Sequence, residues 1–73
     1  MIKVKLFSIS KENDAFLEFI KSEPGMENEE ADEMLEKYMN HWFRQNRTKE
    51  IVKISNPKLV GNHLMAMVWY KTP

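Results

Sequence analysis

Few residues in this chain of 73 have the types and spacing that catalysis or metal binding requires. The histidines, His41 and His63, lack the His-x-x-x-His spacing of a helical metal site. The chain has no cysteine, and its two glycines are isolated, so the sequence offers no thiolate ligand and no glycine-rich phosphate loop. Its carboxylates are concentrated on one acidic segment that we expect to be solvated, which is not the environment of a general acid. We therefore predict a protein that is not an enzyme, with no catalytic residue, metal site or cofactor.

Charge is divided along the chain, although the net charge is zero. Residues 12–36 contain ten acidic residues and one basic residue, whereas residues 37–73 contain seven basic residues and one acidic residue. Acids at the start of a helix and bases at its end stabilise the helix by interacting with its dipole, which is one explanation of this order. The alternative is an acidic docking surface that mimics nucleic acid and inhibits a basic partner. Its candidate residues are Glu29, Glu30 and Glu33.

Alternating and helical patterns of apolar residues predict five elements. In chain order these are a strand over Ile2–Ile9, a short helix over residues 11–22, a longer helix from between residues 24 and 29 to about residue 46, and strands over Glu50–Ser55 and His63–Lys71. Either Ser8 or Ser10 can cap the short helix. The longer helix has one apolar stripe, formed by Ala31, Met34, Leu35, Tyr38 and Trp42.

This order predicts an α+β fold of the type β-α-α-β-β, in a single domain over residues 1–73. The last strand is apolar on both faces, so we place it in the centre of a three-stranded sheet with the order 1-3-2, and the lysine-bearing strands at the edges. The long helix is expected to cover one face of this sheet. That face carries Ile2, Val4, Leu6, Val52, Ile54, Leu64, Ala66 and Val68.

The other face of the predicted sheet is the candidate functional surface. One helix covers only one face, and a large apolar patch exposed to water is unusual for a monomer. The short helix or a terminus can cover the patch, and a protein partner or single-stranded nucleic acid can bind it. We favour a protein interface, either a homodimer or a regulatory contact, because Met and Trp are enriched at interfaces. Its predicted residues are Phe7, Ile51, Met65, Met67 and Trp69; nucleic acid would use Lys3, Lys5, Lys53 and Trp69.

The N-terminal residues and the apolar runs bear on localisation. Lys3, Lys5 and Lys11 interrupt the first dozen residues, which is not the pattern of a signal peptide. The longest apolar run, Leu64–Tyr70, is far shorter than the roughly 20 residues of a membrane span. We therefore predict a cytoplasmic protein that does not contact a membrane.

Four stretches of the chain resemble a known family. They are Ile2–Phe7, Leu35–Phe43, Glu50–Ser55 and Met67–Tyr70. Their order is similar to that of the short sporulation-associated proteins of the Cse type from spore-forming bacteria, and of related small phage and plasmid proteins. The acidic segment around residues 23–33 is longer than in that pattern. The resemblance implies the same order of elements and a non-enzymatic role, and it implies no site residues.

Overall fold

The computed structural model describes residues 1–72, which form one antiparallel sheet and two α-helices. In chain order the elements are strand β1 (Ile2–Ile9), helix α1 (Asp14–Ser22), a single 3₁₀ turn (Met26–Asn28), helix α2 (Ala31–Gln45), and strands β2 (Glu50–Ile54), β3 (Lys58–Val60) and β4 (His63–Lys71). The predicted α+β class is confirmed.

Strand β4 lies in the middle of the sheet. It pairs with β1 along its whole length, from Lys71 opposite Ile2 to Leu64 opposite Ile9. Strands β2 and β3 share the other edge of β4, one after the other. The last strand therefore lies between the first and the second, as expected. The predicted count of three strands is wrong, because the segment after β2 returns to the edge of β4 as β3.

Both helices pack on the same face of the sheet, and the core lies between these two layers. Tyr38 of α2 is at the centre of the core. The ring centroids of Phe7, Phe16 and Phe19 lie 5.1, 5.6 and 5.5 Å from its own. One aromatic side chain of α2 thus joins β1 to α1, and aromatic pairs at these distances add to the stabilisation that burial provides.

Helix α1 is capped at its N-terminus by Asn13 and not by a serine. The Asn13 side-chain oxygen accepts hydrogen bonds from the N–H groups of Ala15 and Phe16, at 3.1 and 3.3 Å. Its amide nitrogen donates to the carbonyl oxygen of Ser8 at 3.0 Å. The expectation that Ser8 or Ser10 caps the helix is therefore wrong. Asn13 satisfies two helix N–H groups and also ties the helix to the end of β1.

The prediction of which face of β1 meets the helices is wrong. Phe7 is fully buried and lies opposite Ala66, which is also buried. Directly opposite residues of an antiparallel pair point to the same face, so Lys3, Lys5 and Phe7 point toward the helices. Alternate residues point the other way, which places Ile2, Val4 and Leu6 on the face without helices.

Strand β2 departs from regular alternation. Its pairing with β4 shifts between Ile51 and Lys53, so that Val52 is the extra residue of a β-bulge. Because of this shift, Ile51 lies opposite Tyr70 and Ile54 lies opposite Val68, both on the helix side of the sheet. The pattern Glu50–Ser55 alone predicts an unbroken alternation with Val52 and Ile54 on one face.

Candidate functional site

The sheet face opposite the helices is the candidate site, and we call it the open face. On this face, β1 and β4 place their side chains opposite each other: Leu6 lies opposite Met67, and Val4 lies opposite Trp69. These pairs alternate with the buried pair of Phe7 and Ala66, so they point away from the helices. The apolar side chains of the open face are Ile2, Val4 and Leu6 of β1, Val60 of β3, and Met65, Met67 and Trp69 of β4.

The open face is substantially exposed. The exposed fractions are 53% for Ile2, 52% for Val4, 48% for Leu6 and 39% for Met67. Met65 and Trp69 are half-buried. Both helices are on the other face, so no element within residues 1–72 covers these side chains. A contiguous apolar surface of this kind is characteristic of interaction sites.

Basic side chains border the open face on the side of β2 and β3. The Lys53 ammonium lies 5.3 Å from the centroid of the Trp69 ring, within the range of a cation–π contact. Lys58 lies opposite Met65. At the end of the strands, the Lys71 ammonium is 3.8 Å from the Glu50 carboxylate. The face therefore has an apolar side formed by β1 and a basic side formed by Lys53 and Lys58.

A shallow cleft of about 580 Å³ lies at the junction of these two sides. It is open to solvent, and its lining includes Leu6, Met65 and Met67 together with Lys53 and Lys58. Its floor is the place where β2 gives way to β3. There the Ser55 hydroxyl accepts a hydrogen bond from the Met67 N–H at 2.8 Å. The lining is mainly apolar, and the side chains of Lys53 and Lys58 lie at one rim of the cleft.

The predicted interface residues divide between the two faces of the sheet. Met65, Met67 and Trp69 lie together on the open face. Phe7 does not, because it is fully buried in the core. Ile51 does not, because it is opposite Tyr70 on the helix side. The prediction that all five residues form one surface is therefore wrong. Phe7 is on the face of β1 that points to the helices, and the bulge in β2 puts Ile51 on that side as well.

The predicted nucleic-acid residues divide in the same way. Lys53 and Trp69 are in contact on the open face. Lys3 and Lys5 lie opposite Tyr70 and Val68, on the helix side of β1. The predicted set of four is therefore not one surface.

Sequence reasoning missed the β1 side chains of the open face. The alternating pattern of the strand predicts that Ile2, Val4 and Leu6 face the core, because they form its apolar half. The contrary signal is Phe7, the largest side chain of the strand, which shares a face with two lysines. Lysine can lie at the border of a core with its stem on apolar surface, so Lys5 does not exclude that face from the core.

The three acids of the predicted docking surface lie where the 3₁₀ turn meets α2. Glu29 accepts a hydrogen bond from the Lys37 ammonium at 2.7 Å. A hydrogen bond with Glu33 and the nearby Lys37 ammonium lower the pKa of Glu29, whereas the same contact with Glu29 raises the pKa of Glu33. Glu30 is the N-cap residue of α2, and its side chain makes no capping bond. One of the three charges is therefore already paired within the chain.

Within residues 1–72, no group of three or more His, Asp or Glu side chains is arranged to hold a metal ion. No helix in that part of the chain has the length and apolar character needed to cross a membrane.

The fold and the open face together describe a small two-layer α+β protein with one sheet face uncovered. Comparison of the chain with protein-family models, with curated proteins and with solved structures finds no significant match. The resemblance to the Cse-type proteins stays a prediction.

Proposed function

We propose that this chain is a non-catalytic binding protein of regulatory type that acts through the open face, and that the open face binds a second copy of the chain. The observation that supports this most directly is the exposure of Ile2, Val4 and Leu6, which is close to one half for each. Burial of apolar surface stabilises a complex by about 25 cal/mol per Å². A domain this small gains in apparent stability when it associates.

The two sides of the open face make a second copy a suitable occupant. When two copies stack about a two-fold axis parallel to β4, the basic side of each copy lies over β1 of the other. Lys53 and Lys58 of one copy then lie away from the same lysines of the other copy, and their stems lie over Val4 and Ser8 of β1. A two-fold axis perpendicular to the strands would place lysines against lysines, which is unfavourable.

The size of the open face predicts a weak dimer. Strand β1 has eight residues, which is a length of about 26 Å, and the three strands span about 10 Å between their axes. Such an area is at the low end of specific interfaces, where association is reversible and depends on concentration. We therefore expect monomer and dimer to be in exchange at micromolar to millimolar concentrations.

Sedimentation equilibrium over a range of protein concentrations tests this proposal. Leu6→Lys and Trp69→Ala should shift the equilibrium to monomer, because each removes apolar surface from the open face. The matched control is Ile51→Lys, since Ile51 is 38% exposed on the helix side of the sheet and does not line the cleft of the open face. Circular dichroism of each variant checks that its helices are retained. A wild-type protein that stays monomeric at the highest concentration would contradict the proposal.

Binding of single-stranded nucleic acid is the second candidate function. The contact between Lys53 and Trp69, with Lys58 on the same edge, favours it, because a base can stack on an aromatic ring while ammonium groups bind phosphates. A single aromatic ring and two lysines form a small platform. For this reason we favour the protein interface over nucleic-acid binding.

Acidic mimicry of nucleic acid is the remaining alternative. It rests on Glu29, Glu30 and Glu33, of which Glu29 is paired with Lys37. Charge reversal of the three acids should abolish inhibition of a basic nucleic-acid-binding protein if this alternative holds. The alternative would be excluded if the charge-reversed variant inhibited as strongly as the wild-type chain, or if the wild-type chain did not inhibit at all.

A further inference from the structure

The outer edge of β1 is a second surface to which a partner can bind. Strand β1 pairs with β4 on one side, and no strand within residues 1–72 pairs with its other side. Its register with β4 is continuous over eight residues, without a bulge and without a proline. The opposite edge of the sheet is different: it is broken by the bulge at Val52 and again between β2 and β3, where Pro57 lies. Proteins commonly protect edges by such breaks, and β1 has none.

The contact of Asn13 with Ser8 shows which backbone groups of β1 face outward. The Ser8 carbonyl is bound by the Asn13 side chain at 3.0 Å, so it points away from β4. In an antiparallel ladder the N–H and C=O of one residue point to the same side, and the side alternates along the strand. The backbone groups of Ile2, Val4 and Leu6 therefore point outward as well. Asn13 thus occupies the outward carbonyl of Ser8, while the outward backbone N–H and C=O groups of Ile2, Val4 and Leu6 have no strand partner within residues 1–72.

A cleft runs along this edge on the helix side. It has a volume of about 420 Å³ and lies between β1, α1 and α2. Its lining includes Lys5, Glu18, His41 and Gln45. Glu18 has a basic neighbour of its own, since its carboxylate is 3.9 Å from the Lys21 ammonium. Lys5, with its ammonium 5.8 Å from the Phe7 ring centroid, is the cation that borders both the edge and the cleft.

Self-pairing of this edge is disfavoured by its own lysines. When two copies of β1 pair antiparallel about a two-fold axis centred on Val4, Lys3 lies opposite Lys5 of the other copy. When the axis is centred on Lys5, this residue lies opposite itself. Like charges directly opposite each other destabilise a sheet. Centring the axis on Leu6 places Val4 opposite Ser8, whose carbonyl is already bound within the chain.

We propose that the outer edge of β1 binds an extended segment of a partner protein in which acidic and apolar residues alternate. The acidic side chains lie opposite Lys3 and Lys5, and the apolar side chains lie opposite Ile2, Val4 and Leu6. Lys3 and Lys5 are in the positions where paired side chains come closest, since their backbone groups point to β4. No ion pair between either lysine and a carboxylate is formed within residues 1–72. The complex adds a strand to the sheet, and it is separate from self-association through the open face.

A labelled heptapeptide of alternating valine and glutamate, beginning and ending with valine, is the probe for this site. Its fluorescence anisotropy should rise to saturation as the protein is added. Lys3→Glu/Lys5→Glu should weaken binding about tenfold, because two attractive cross-strand pairs become repulsive. The same variant should bind a valine–lysine heptapeptide more tightly than the wild-type protein does. The control is Arg44→Glu/Arg47→Glu, at two exposed positions at the C-terminal end of α2 and just beyond it, which makes the same change of charge and should leave the affinity for the glutamate peptide unchanged.

Methylation of the peptide backbone tests the strand geometry without any change to the protein. The valine N–H groups should donate to β1, so N-methylation of the valines should abolish binding, and N-methylation of the glutamates should preserve it. Absence of saturable binding by the unmodified peptide, or equal loss with both methylated peptides, would overturn the proposal. Sedimentation of the Lys3→Glu/Lys5→Glu variant keeps the two surfaces distinct. It should self-associate as the wild-type protein does, whatever the outcome with the peptide.

Discussion

The ring of Phe7 meets the ring of Tyr38 edge-on, with the centroids 5.1 Å apart and the planes at 82° to each other. Phe7 also packs edge-on against Trp42, at 5.6 Å. Two aromatic side chains of α2 thus hold one side chain of β1. This contact determines which half of β1 is buried, and consequently which half forms the open face.

Truncation of Phe7 should therefore have a large effect on stability. We expect Phe7→Ala to lower the free energy of unfolding by about 3–5 kcal/mol, because it leaves a cavity in the aromatic core. Its neighbour Leu6 is 48% exposed, so Leu6→Ala should cost less than about 1.5 kcal/mol. Urea denaturation followed by circular dichroism, at a concentration where the protein is monomeric, measures both. A larger loss for Leu6→Ala than for Phe7→Ala would mean that β1 faces the other way.

Asn13 should contribute more to stability than its half-buried position implies. Its side chain accepts from two N–H groups at the start of α1 and donates to Ser8 and, at 3.4 Å, to the Tyr38 hydroxyl. We expect Asn13→Ala to lower the free energy of unfolding by about 1–2 kcal/mol, since it removes the cap and leaves the Ser8 carbonyl without its partner. Asn40→Ala, on an exposed position of α2, is the control and should change it by less than about 0.5 kcal/mol. Equal effects in the two variants would contradict this role.

Tyr38 should make stability depend on pH in the alkaline range. Burial raises the pKa of the Tyr38 hydroxyl, and the hydrogen bond from Asn13 opposes that rise. The folded state thus favours the neutral hydroxyl, whereas the unfolded chain ionises with a pKa of about 10. The stabilising contribution is fully present below the unfolded pKa, and it is lost as the pH rises through the folded pKa.

Tyr38→Phe isolates this effect from the titration of the lysines, which both proteins share. Urea denaturation at about pH 8 and about pH 10.5 should show a larger fall in stability for the wild-type protein than for the variant. An equal fall in both proteins would mean that Tyr38 ionises as easily in the folded state as in the unfolded one.

Tryptophan fluorescence discriminates between the two candidate functions of the open face. Trp69 is on that face, whereas Trp42 is half-buried on the helix side, where it packs against Phe7 and Tyr70. If single-stranded nucleic acid binds, an oligonucleotide should quench Trp69, and the quenching should weaken as salt is raised. Trp69→Phe should abolish the response, and Trp42→Phe, the control, should retain it. Absence of quenching at low salt would exclude nucleic acid from this face.

Local sequence patterns specified most of the elements. The stripe through Leu35, Tyr38 and Trp42 predicts α2, and the doubly apolar run His63–Lys71 predicts the central strand, which is β4. Both predictions depend on periodicity within one element. The same kind of pattern correctly predicts that Met65, Met67 and Trp69 share one face, since neighbouring positions of a regular strand alternate.

The face of β1 could not be decided in this way. Alternation divides Ile2–Ile9 into two sets, and both sets contain apolar residues. The choice between them depends on whether the Phe7 ring fits among aromatic side chains that are supplied by α1 and α2, far along the chain. The bulge at Val52 is likewise a product of pairing with β4, and it moved Ile51 to the helix side.

The sequence by itself therefore determined the α+β class, the long helix and the presence of an apolar sheet face that one layer of helices leaves uncovered. Only the tertiary structure decided which residues form that face, and that the outer edge of β1 is continuous while the opposite edge is broken. The physical reason is the same in both cases. Periodicity is a property of one segment, whereas burial and strand pairing are set by side chains and backbone groups that meet only after the chain has folded.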